Sequence, residues 1–356
     1  MNSDINLLLN NKVSWLADCG PSEDIAISSR IRLARNLAGV PFPPHATATQ
    51  LKEIINTVET AVGSSNDLPS FLRFNMAETG DLDKMVMFER RLISREFMEK
   101  KDPGELLIME DESFGIMINE EDHLRMQFMR SGFQLKNVWE EINKLDDTLS
   151  RQLPYVFSKE LGFLTSCPTN VGTGIRASVM LHLPGLVLSN QINAVIQGVS
   201  KLGLVVRGIF GEGTQNLGNL YQVSNQSTLG ESEEQIIERL GNVITQIINH
   251  EKNARRNLLE TNQPFLLNHV GRAYGTLRHA FILSSSEALD SLSALRLGVD
   301  MGMFSSVDIH TVNELFIIIN PAHLQKYAGK ELDSAGRDIY RAALVRERLK
   351  SSDRGK

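Results

Sequence analysis

One segment, Cys167-Pro-Thr-Asn-Val-Gly-Thr-Gly-Ile-Arg176, gives the strongest indication of how this chain folds. Its glycines let the backbone approach a ligand closely, and its arginine supplies a planar set of donors for phosphate oxygens. Three similar segments lie elsewhere, namely Ser28-Ser-Arg-Ile-Arg32, Asn119-Glu-Glu-Asp-His-Leu-Arg125 and Arg207-Gly-Ile-Phe-Gly-Glu212. Together they place five arginines in loop-like or strand-end positions. The pattern predicts a phosphate clamp beside a carboxylate.

The composition is that of a globular protein. The 356 residues are 42% hydrophobic and 22% charged, enough for one large or two moderate domains with a core. A formal charge of −6 argues against a surface built to bind nucleic acid. Two cysteines, Cys19 and Cys167, do not support a disulfide framework and fit a cytoplasmic setting. We find no basic leader and no long apolar run, so no membrane segment is expected.

The spacing of apolar residues predicts an α+β fold. Strand-like patterns occur at 106–109, 114–118, 123–129, 179–183 and 204–210. Helical spacing occurs at 51–62, 138–149, 189–202, 233–258, 285–297, 312–319 and 338–349. We therefore predict an antiparallel β-sheet flanked by helices, followed by a helical C-terminal domain. The expected segments are an N-terminal extension at 1–20, the sheet-containing domain at 21–250 and the helical domain at 251–356.

The arginines suggest how a nucleotide could be held. The usual motifs G-x-x-x-x-G-K-[ST], H-R-D and D-F-G are absent from the sequence. Arginine binds phosphate oxygens in pairs and offsets the charge that develops on a transferring phosphoryl group. A single arginine is more often a solvated charge, but the joint pattern favours a triphosphate site. The arginines in question are Arg30, Arg32, Arg125, Arg176 and Arg207.

Two carboxylates, Glu121 and Glu212, stand beside those arginines in the sequence. A guanidinium acceptor has a pKa above about 12, so no carboxylate can deprotonate it in advance. Paired carboxylates can instead grip its N–H groups, align one nitrogen with the γ-phosphorus and accept the proton during transfer. The alternative is that residues 120–122 form a solvated acidic turn and that Glu212 is a surface acid. Local sequence does not decide between these interpretations.

In their sequences and in their order along the chain, these segments resemble the catalytic domain of the ATP:guanido phosphotransferases, the phosphagen kinases. The resemblance covers roughly residues 20 to 250 and implies that the five arginines bind nucleotide phosphates. It implies that Glu121 and Glu212 hold the guanidinium, with Cys167 next to the substrate nitrogen, although a free cysteine is also a common core residue. The other residues implied to line the nucleotide site are Ser28, Ser29, Ile31, Arg91, Ala177, Ser178, Val179, Met180, Gly208, Ile209, Phe210 and Gly211.

ATP and Mg²⁺ are the cofactors that this resemblance implies. The metal would arrive with ATP, held mainly by phosphate oxygens and water, so we predict no protein ligand for it. His123 and His182 lie in strand-like apolar surroundings and are expected to be satisfied core or edge residues. The histidines show no metal-ligand spacing.

Departures from the family pattern point to one branch of it. The first arginine motif begins at residue 28, without the helical domain that precedes it in creatine and arginine kinases. Ile209 and Phe210 replace the Thr-Arg common in small-substrate members, and Arg91 stands where a histidine near the adenine is frequent. The whole chain resembles the bacterial protein arginine kinases of the McsB type. The acceptor implied is an arginine side chain of another protein.

The segment Arg337-Asp-Ile-Tyr-Arg-Ala342 predicts a second site. Arginines four residues apart share one helical face, and the aspartate can bond a guanidinium. The residues alone favour a plain solvated helix. In protein arginine kinases the matching motif is an allosteric phosphoarginine pocket, which implies that Arg337, Asp338, Arg341 and Ala342 bind phosphoarginine.

The implied function is transfer of the ATP γ-phosphoryl group to protein arginines, marking the proteins for regulated proteolysis and regulating a stress-response repressor. Two alternatives stay open: a kinase for free arginine or another small guanidine, and a non-catalytic regulatory adaptor. The partners implied by the family are a zinc-binding activator of the McsA type, the repressor CtsR and the ClpC–ClpP protease. We expect a homodimer, with neither nucleic acid nor membrane as a direct partner.

Overall fold

The computed structural model of the chain describes residues 3–11, 13–17, 19–208 and 216–352. Its strands are β1 Ala26–Arg35, β2 Leu72–Asn75, β3 Glu105–Ile108, β4 Phe114–Ile118, β5 Leu124–Ser131, β6 Phe157–Ser158, β7 Gly162–Phe163, β8 Ile175–His182, β9 Leu204–Gly208 and β10 Leu220–Asn225. Eight of them form one sheet in the order β2-β3-β4-β5-β1-β8-β10-β9, and β6 pairs with β7. The pairs from β2 to β1 are antiparallel, as predicted.

Helices flank the sheet and fill the C-terminal part of the chain. They are α1 Ser3–Asn10, α2 Ser14–Ala17, α3 Ala48–Ser64, α4 Asp81–Glu89, α5 Arg95–Glu99, α6 Leu135–Ser150, α7 Pro184–Leu188, α8 Ile192–Lys201, α9 Glu233–Thr261, α10 Gln263–His279, α11 Ser285–Asp300, α12 Ile309–Ile318, α13 Pro321–Ala328 and α14 Ser334–Ser352. The predicted α+β class is confirmed. In the described part of the chain, no helix combines the length and apolarity needed to cross a membrane.

The chain divides into two compact units. The first contains the described residues of 1–21, 28–179 and 224–242, and the second those of 22–27, 180–223 and 243–352. Strands β1, β8 and β10 therefore contribute residues to both.

In the first unit, β1 and the helices show how the sequence produces the layers. Ile31 and Leu33 on β1 are fully buried, whereas Arg30 and Arg32, which alternate with them, are partly exposed. This period of two separates a core face from a polar face. Apolar residues at helical spacing on α3 and α6 are buried in the same unit, namely Leu51, Ile54, Val58, Val138 and Ile142. The core therefore uses one face of β1 and leaves the arginine face for another purpose.

A pair of carboxyl groups in this unit makes stability depend on pH. Burial, and next the charge and hydrogen bond of Glu59, raise the pKa of Glu105 to about 7. The native state then holds this proton more tightly than the unfolded chain, so the free energy of unfolding falls as pH rises from about 5 through 7. We expect Glu105→Gln to remove this fall and to stabilise the protein above pH 7 by on the order of 1 kcal/mol.

Thermal unfolding at a series of pH values would measure the effect. Glu140→Gln, on the exposed part of α6, is the matched control and should unfold like the parent protein. Identical pH profiles for Glu105→Gln and the parent would contradict the expected coupling.

The second unit combines a helical core with a compensated group of buried charges. Its apolar cluster joins α9, α10 and α11 through Leu258, Leu266, Val270 and Leu297. Arg255 contacts Glu251 at 2.7 Å and Asp300 at 3.4 Å, and Arg296 lies 3.6 Å from Asp300. Two guanidinium groups thus face two carboxylates, which satisfies the condition for burying charge.

Some predicted elements are wrong in extent. The helix expected at 189–202 is α8, which begins only at Ile192 because Asn190 adopts a left-handed conformation with φ 57°. Strand β8 begins at Ile175 and not at residue 179. Several elements were not predicted, among them strands β1, β2 and β10 and helices α4, α10 and α13. The predicted strand 204–210 is β9 up to Gly208, and residues 209–215 lie outside the described residues.

Candidate active site

Arginines converge on one face of the sheet in the first unit. Arg30 and Arg32 are two residues apart on β1 and point to the same side. In the β1–β5 register Arg32 lies opposite Gln127, and Arg125 is two residues from Gln127, so it shares this face. Arg176 is the second residue of β8, the neighbour of β1 in the sheet. The expected strand-end position is confirmed for Arg125 and Arg176 and wrong for Arg30 and Arg32, which lie mid-strand.

The electrostatics show that these guanidinium groups interact. Burial, followed by the charges of Arg91, Arg125 and Arg176, lowers the pKa of Arg30 to about 9. Burial and the charges of Arg30, Arg125 and Arg176 likewise lower the pKa of Arg32 well below its usual value, against a smaller opposing effect of Glu120. Such crowding of like charge is unfavourable without an anion. A polyphosphate carries negative charge that would relieve this repulsion.

Arg91 joins the cluster from the end of α4. Its backbone has φ 64°, and Gln127 Nε2 donates to the carbonyl oxygens of Arg91 and Leu92 at 3.0 and 3.1 Å. The preceding Arg90 is buried against Glu112, with contacts of 2.5 to 3.1 Å. Burial lowers the pKa of Arg91 to about 10. The contacts of Gln127 with the backbone and of Arg90 with Glu112 fix the turn that carries Arg91. Sequence reasoning did not identify Gln127 as a residue that holds this turn.

Glu120 pairs with Arg125 and holds its side chain in position. The two side chains form an ion pair, and Glu120 also accepts from Ser94 Oγ at 2.5 Å and from the backbone N–H of Glu121 at 3.0 Å. Burial lowers the pKa of Arg125, but the charge and hydrogen bond of Glu120 outweigh it, so the net shift is upward. Arg125 is therefore held rigidly as a cation at the edge of the cluster.

Glu121 and Cys167 come together beside these arginines. The Cys167 side chain lies close enough to the Glu121 carboxylate to oppose slightly the rise that burial causes in its pKa, and Cys167 Sγ lies 3.0 Å from Thr169 Oγ1. Asp122 Oδ1 accepts from the backbone N–H of Ser166 and from Asn36 Nδ2, both at 2.6 Å. Asp122 thus joins the two loops that carry Glu121 and Cys167. These two predicted residues lie together, and Asp122 and Asn36 are positioning residues that the sequence pattern did not single out.

The acidic turn is not a solvated one. Glu120 and Asp122 are 5% and 2% exposed, whereas Glu121 between them is half-buried. Burial and then the charges of Asp122 and Glu120 raise the pKa of Glu121. A carboxylate so placed is stabilised by an arriving cation and accepts a proton more readily than a solvated one.

His123 and His182 are structural residues, but only His123 has a partner for both ring nitrogens, since His182 Nδ1 is buried without one in the described structure. His123 Nδ1 accepts from the backbone N–H of Leu37 at 2.9 Å, and its Nε2 lies 3.0 Å from the carbonyl oxygen of Pro41. His182 is buried in the second unit with Nε2 2.8 Å from Ser293 Oγ. The described residues contain no group of three His, Cys, Asp or Glu side chains suited to a metal ion.

The glycines of the 167–176 segment approach other parts of the backbone. Gly172 has φ 113°, and a Cβ atom there would lie 2.2 Å from the carbonyl oxygen of Thr228. Gly174 has φ 65° and lies similarly close to Ala34. Their role is to let the loop carrying Cys167 pack against its neighbours.

We expect Gly172→Ala to destabilise the protein by about 2–3 kcal/mol, since it combines a strained φ with a backbone clash. Gly63→Ala is the matched control, because Gly63 lies in α3, where an added Cβ atom would have no neighbour within 4 Å, and should be neutral or slightly stabilising. Urea unfolding would compare the two. A Gly172→Ala variant as stable as the control would contradict the packing role.

The other predicted nucleotide-lining residues are mostly buried. Ser29 Oγ donates to the carbonyl oxygen of Gly132 at 2.9 Å and accepts from the N–H of Gln134 at 2.8 Å, so this hydroxyl ties β1 to the start of α6. Ser178 Oγ lies 3.4 Å from the carbonyl oxygen of Arg30. The remaining buried members of the set are Ser28, Ile31, Ala177, Val179 and Met180. Only backbone or small polar atoms of this set could face a ligand.

Part of the predicted site belongs to the second unit or lies outside the described residues. Arg207 is exposed on β9, and Gly208, which ends that strand, is half-buried. The predicted Ile209, Phe210, Gly211 and Glu212 lie outside the described residues. The pairing of Glu121 with Glu212 therefore stays a prediction.

On α14, Arg341 is buried and binds other parts of the second unit. It donates to the carbonyl oxygens of Ile319 and Leu283 at 3.0 and 2.8 Å and to Asp338 Oδ1 at 2.5 Å. Arg337 is partly exposed and donates to the carbonyl oxygen of Leu332 at 2.7 Å. The plain solvated helix is therefore wrong for Arg341, and also for the fully buried Ala342.

Two family models match the chain. The ATP:guanido phosphotransferase C-terminal catalytic domain matches residues 53–254, more than half of the chain, and the protein-arginine kinase McsB C-terminal domain matches residues 263–356. The protein-arginine kinase of Pelotomaculum thermopropionicum is 45% identical over 95% of this chain and 96% of its own. That of Halothermothrix orenii is 45% identical over 96% of this chain and 98% of its own.

Solved structures share the fold. A lombricine kinase is 26% identical, with a TM-score of 0.58, over 69% of this chain and 70% of its own. The duplicated taurocyamine kinase of Schistosoma mansoni, with bound transition-state analogue components, has a TM-score of 0.59 at 24% identity, over 72% of this chain and 38% of its own.

The chain therefore belongs to the ATP:guanido phosphotransferase family, a family of ATP-dependent phosphotransferases. Within that family it groups with the protein-arginine kinases, to which it is similar along nearly its whole length. The resemblance read from the sequence motifs is confirmed.

Proposed function

We propose that this protein transfers the γ-phosphoryl group of ATP to arginine side chains of proteins. The observation that carries the proposal is the cluster of Arg30, Arg32, Arg91, Arg125 and Arg176 beside Glu121 and Cys167. The crowded guanidinium groups receive the triphosphate and offset the charge of the transferring group. The related protein-arginine kinases, at 45% identity, support a protein as the acceptor.

Glu121 gives the acceptor its position. Its half-buried carboxylate binds the N–H groups of the incoming guanidinium, directs one nitrogen at the γ-phosphorus and accepts the proton as the N–P bond forms. Cys167, which lies beside Glu121, helps to orient that carboxylate. Mg²⁺ would enter with ATP and neutralise phosphate charge; no protein ligand is assigned to it.

Incubation with ATP and either free arginine or an unfolded arginine-rich protein tests the proposal. Because N–P bonds are acid-labile, products are detected at neutral pH by ³¹P NMR and by mass spectrometry. We expect phosphoarginine in the protein and slow turnover of the free amino acid. Rapid turnover of free arginine alone would favour a small-guanidine kinase, and no phosphoryl transfer to either would favour a regulatory adaptor.

We propose further that Arg337 and Asp338 bind phosphoarginine and regulate activity, with the buried Arg341 and Ala342 of the same motif supporting them from within the unit. The match of residues 263–356 to the McsB C-terminal domain supports this. Arg337 and Asp338 are partly exposed and accessible to a ligand, while buried Arg341 holds Asp338 in place. The double variant Arg337→Ala, Asp338→Ala should lose activation by added phosphoarginine, measured as the rate of protein phosphorylation. An unchanged activation profile would remove this assignment.

The cellular role follows from the same family match and is also a proposal. Phosphorylation would mark proteins for the ClpC–ClpP protease and inactivate the stress-response repressor CtsR, under control of a zinc-binding activator of the McsA type. A cytoplasmic setting fits a chain with only two cysteines, Cys19 and Cys167, and the proposal includes a homodimer. Co-purification from stressed cells with and without Glu121→Gln would separate catalytic from adaptor roles.

A further inference from the structure

The hairpin formed by β6 and β7, residues 157–163, carries apolar side chains that the first unit does not cover. Phe157 is 61% exposed and Leu161 is 47% exposed. Phe157 begins the hairpin and Leu161 lies in its turn, with charged Lys159 and Glu160 between them. Apolar side chains grouped at a surface indicate a binding surface more often than single ones do.

The hairpin is fixed to the loop that carries Cys167. Phe163 and Gly172 exchange two backbone hydrogen bonds of 2.8 and 3.2 Å. Leu161 precedes Cys167 by six residues, so the two are at most about 20 Å apart. Leu161 therefore lies within about six extended residues of Cys167, which stands beside the position assigned to the acceptor nitrogen.

A second connection runs to Glu121. Asn36 Nδ2 donates to the carbonyl oxygen of Leu164 at 3.1 Å and to Asp122 Oδ1 at 2.6 Å. Asp122 is the next residue after Glu121, so one amide group holds the end of the hairpin and the acidic turn together. Movement of the hairpin relative to Glu121 is thereby restricted.

Contacts of the Phe163 ring with Arg35 and with Phe157 stabilise the hairpin. The Arg35 guanidinium lies 3.6 Å from the centre of the Phe163 ring and is itself paired with Asp146 at 2.7 Å. The Phe157 ring packs edge-on against Phe163, with ring centres 5.2 Å apart. Phe157 is therefore held in a defined position while most of its side chain faces solvent, which lowers the entropic cost of binding to it.

We propose that the 157–163 hairpin binds the residues that flank the target arginine, and that its ligand is an extended, unfolded polypeptide with an apolar side chain a few residues from that arginine. The inference rests on the proposed function. An arginine side chain bound at Glu121 leaves its own backbone outside the pocket, and extended neighbours advance about 3.3 Å per residue along the surface. A folded client buries its large apolar side chains, so the hairpin selects unfolded segments.

Two synthetic peptides with a single central arginine test this. One carries leucine and phenylalanine near the arginine, and the other carries serine and glutamine at those positions. For the parent protein we expect kcat/KM about tenfold higher for the apolar peptide, mainly through a lower KM, as burying part of one side chain provides. Phe157→Ser and Leu161→Ser should each reduce the apolar-to-polar ratio of kcat/KM towards one.

Leu202→Ser is the matched control, since Leu202 is 52% exposed outside the hairpin and should keep the parent ratio. Leu161→Ser keeps the test open if Phe157→Ser unfolds, because the ring contact with Phe163 belongs to Phe157. Equal ratios in the parent and both hairpin variants would overturn the docking surface and leave the proposed function standing. Turnover of free arginine with neither peptide phosphorylated would overturn both.

Discussion

Glu121→Gln is expected to reduce kcat for arginine phosphorylation by about 10²–10⁴-fold, the usual contribution of a positioned acid–base group. Glutamine keeps the shape of the side chain but cannot accept the proton or balance the charge of a guanidinium. ATP binding should change little, because the arginines that receive the phosphates are unaltered. The expected signature is a fall in kcat with nearly unchanged thermal stabilisation by ATP.

The pH profile makes this prediction more specific. Since burial and the charges of Asp122 and Glu120 raise the pKa of Glu121, activity should decline on the acid side at a higher pH than an ordinary carboxylate would give. The Gln variant should lack this decline. Glu141→Gln, an exposed substitution on α6, is the control and should keep parent activity and profile. More than a tenth of parental kcat in Glu121→Gln would show that this carboxylate does not carry the chemistry.

Much of the candidate site could be predicted from the sequence because its charged residues lie in a few short segments. The stretch 119–125 contains the acid, its neighbours and Arg125 within a single turn between β4 and β5. What the sequence could not show is that Glu120 and Asp122 act inward, on Arg125 and on the loop at Ser166. Those contacts connect positions 44 residues apart or lie across a turn whose geometry depends on the fold.

The elements missed by sequence reasoning were decided by tertiary context. On β1 the alternation of Arg30 and Arg32 with Ile31 and Leu33 is a strand pattern, but its polar face holds charges that usually indicate a surface loop. Helix α10 contains Gly271 and Gly275, which lower helix propensity. Its packing through Leu266 and Val270 against Leu297 of α11 overrides that cost.

Arg32→Met is expected to raise the stability of the ligand-free protein while reducing phosphoryl transfer by about 10²–10³-fold. The Nε atom of Arg32 is buried without a hydrogen-bond partner in the described structure. Burial and the charges of Arg30, Arg125 and Arg176 disfavour its charged form. Removing such a charge should increase the free energy of unfolding by about 1–2 kcal/mol, since the apolar side chain of Met fills most of the same space.

ATP binding should reverse the order of stability of the parent and the variant, so Tm measured with and without ATP is the decisive test. In the parent protein the triphosphate compensates the clustered arginines, so ATP should raise Tm strongly, whereas the Arg32→Met variant should begin at a higher Tm and gain much less. Arg239→Met is the control, because Arg239 pairs with Glu231 at 2.7 Å in a partly exposed position, and its loss should cost about 0–1 kcal/mol with the ATP response intact. A lower ligand-free Tm for Arg32→Met together with a full ATP response would mean that Arg32 stabilises the fold and does not hold phosphate.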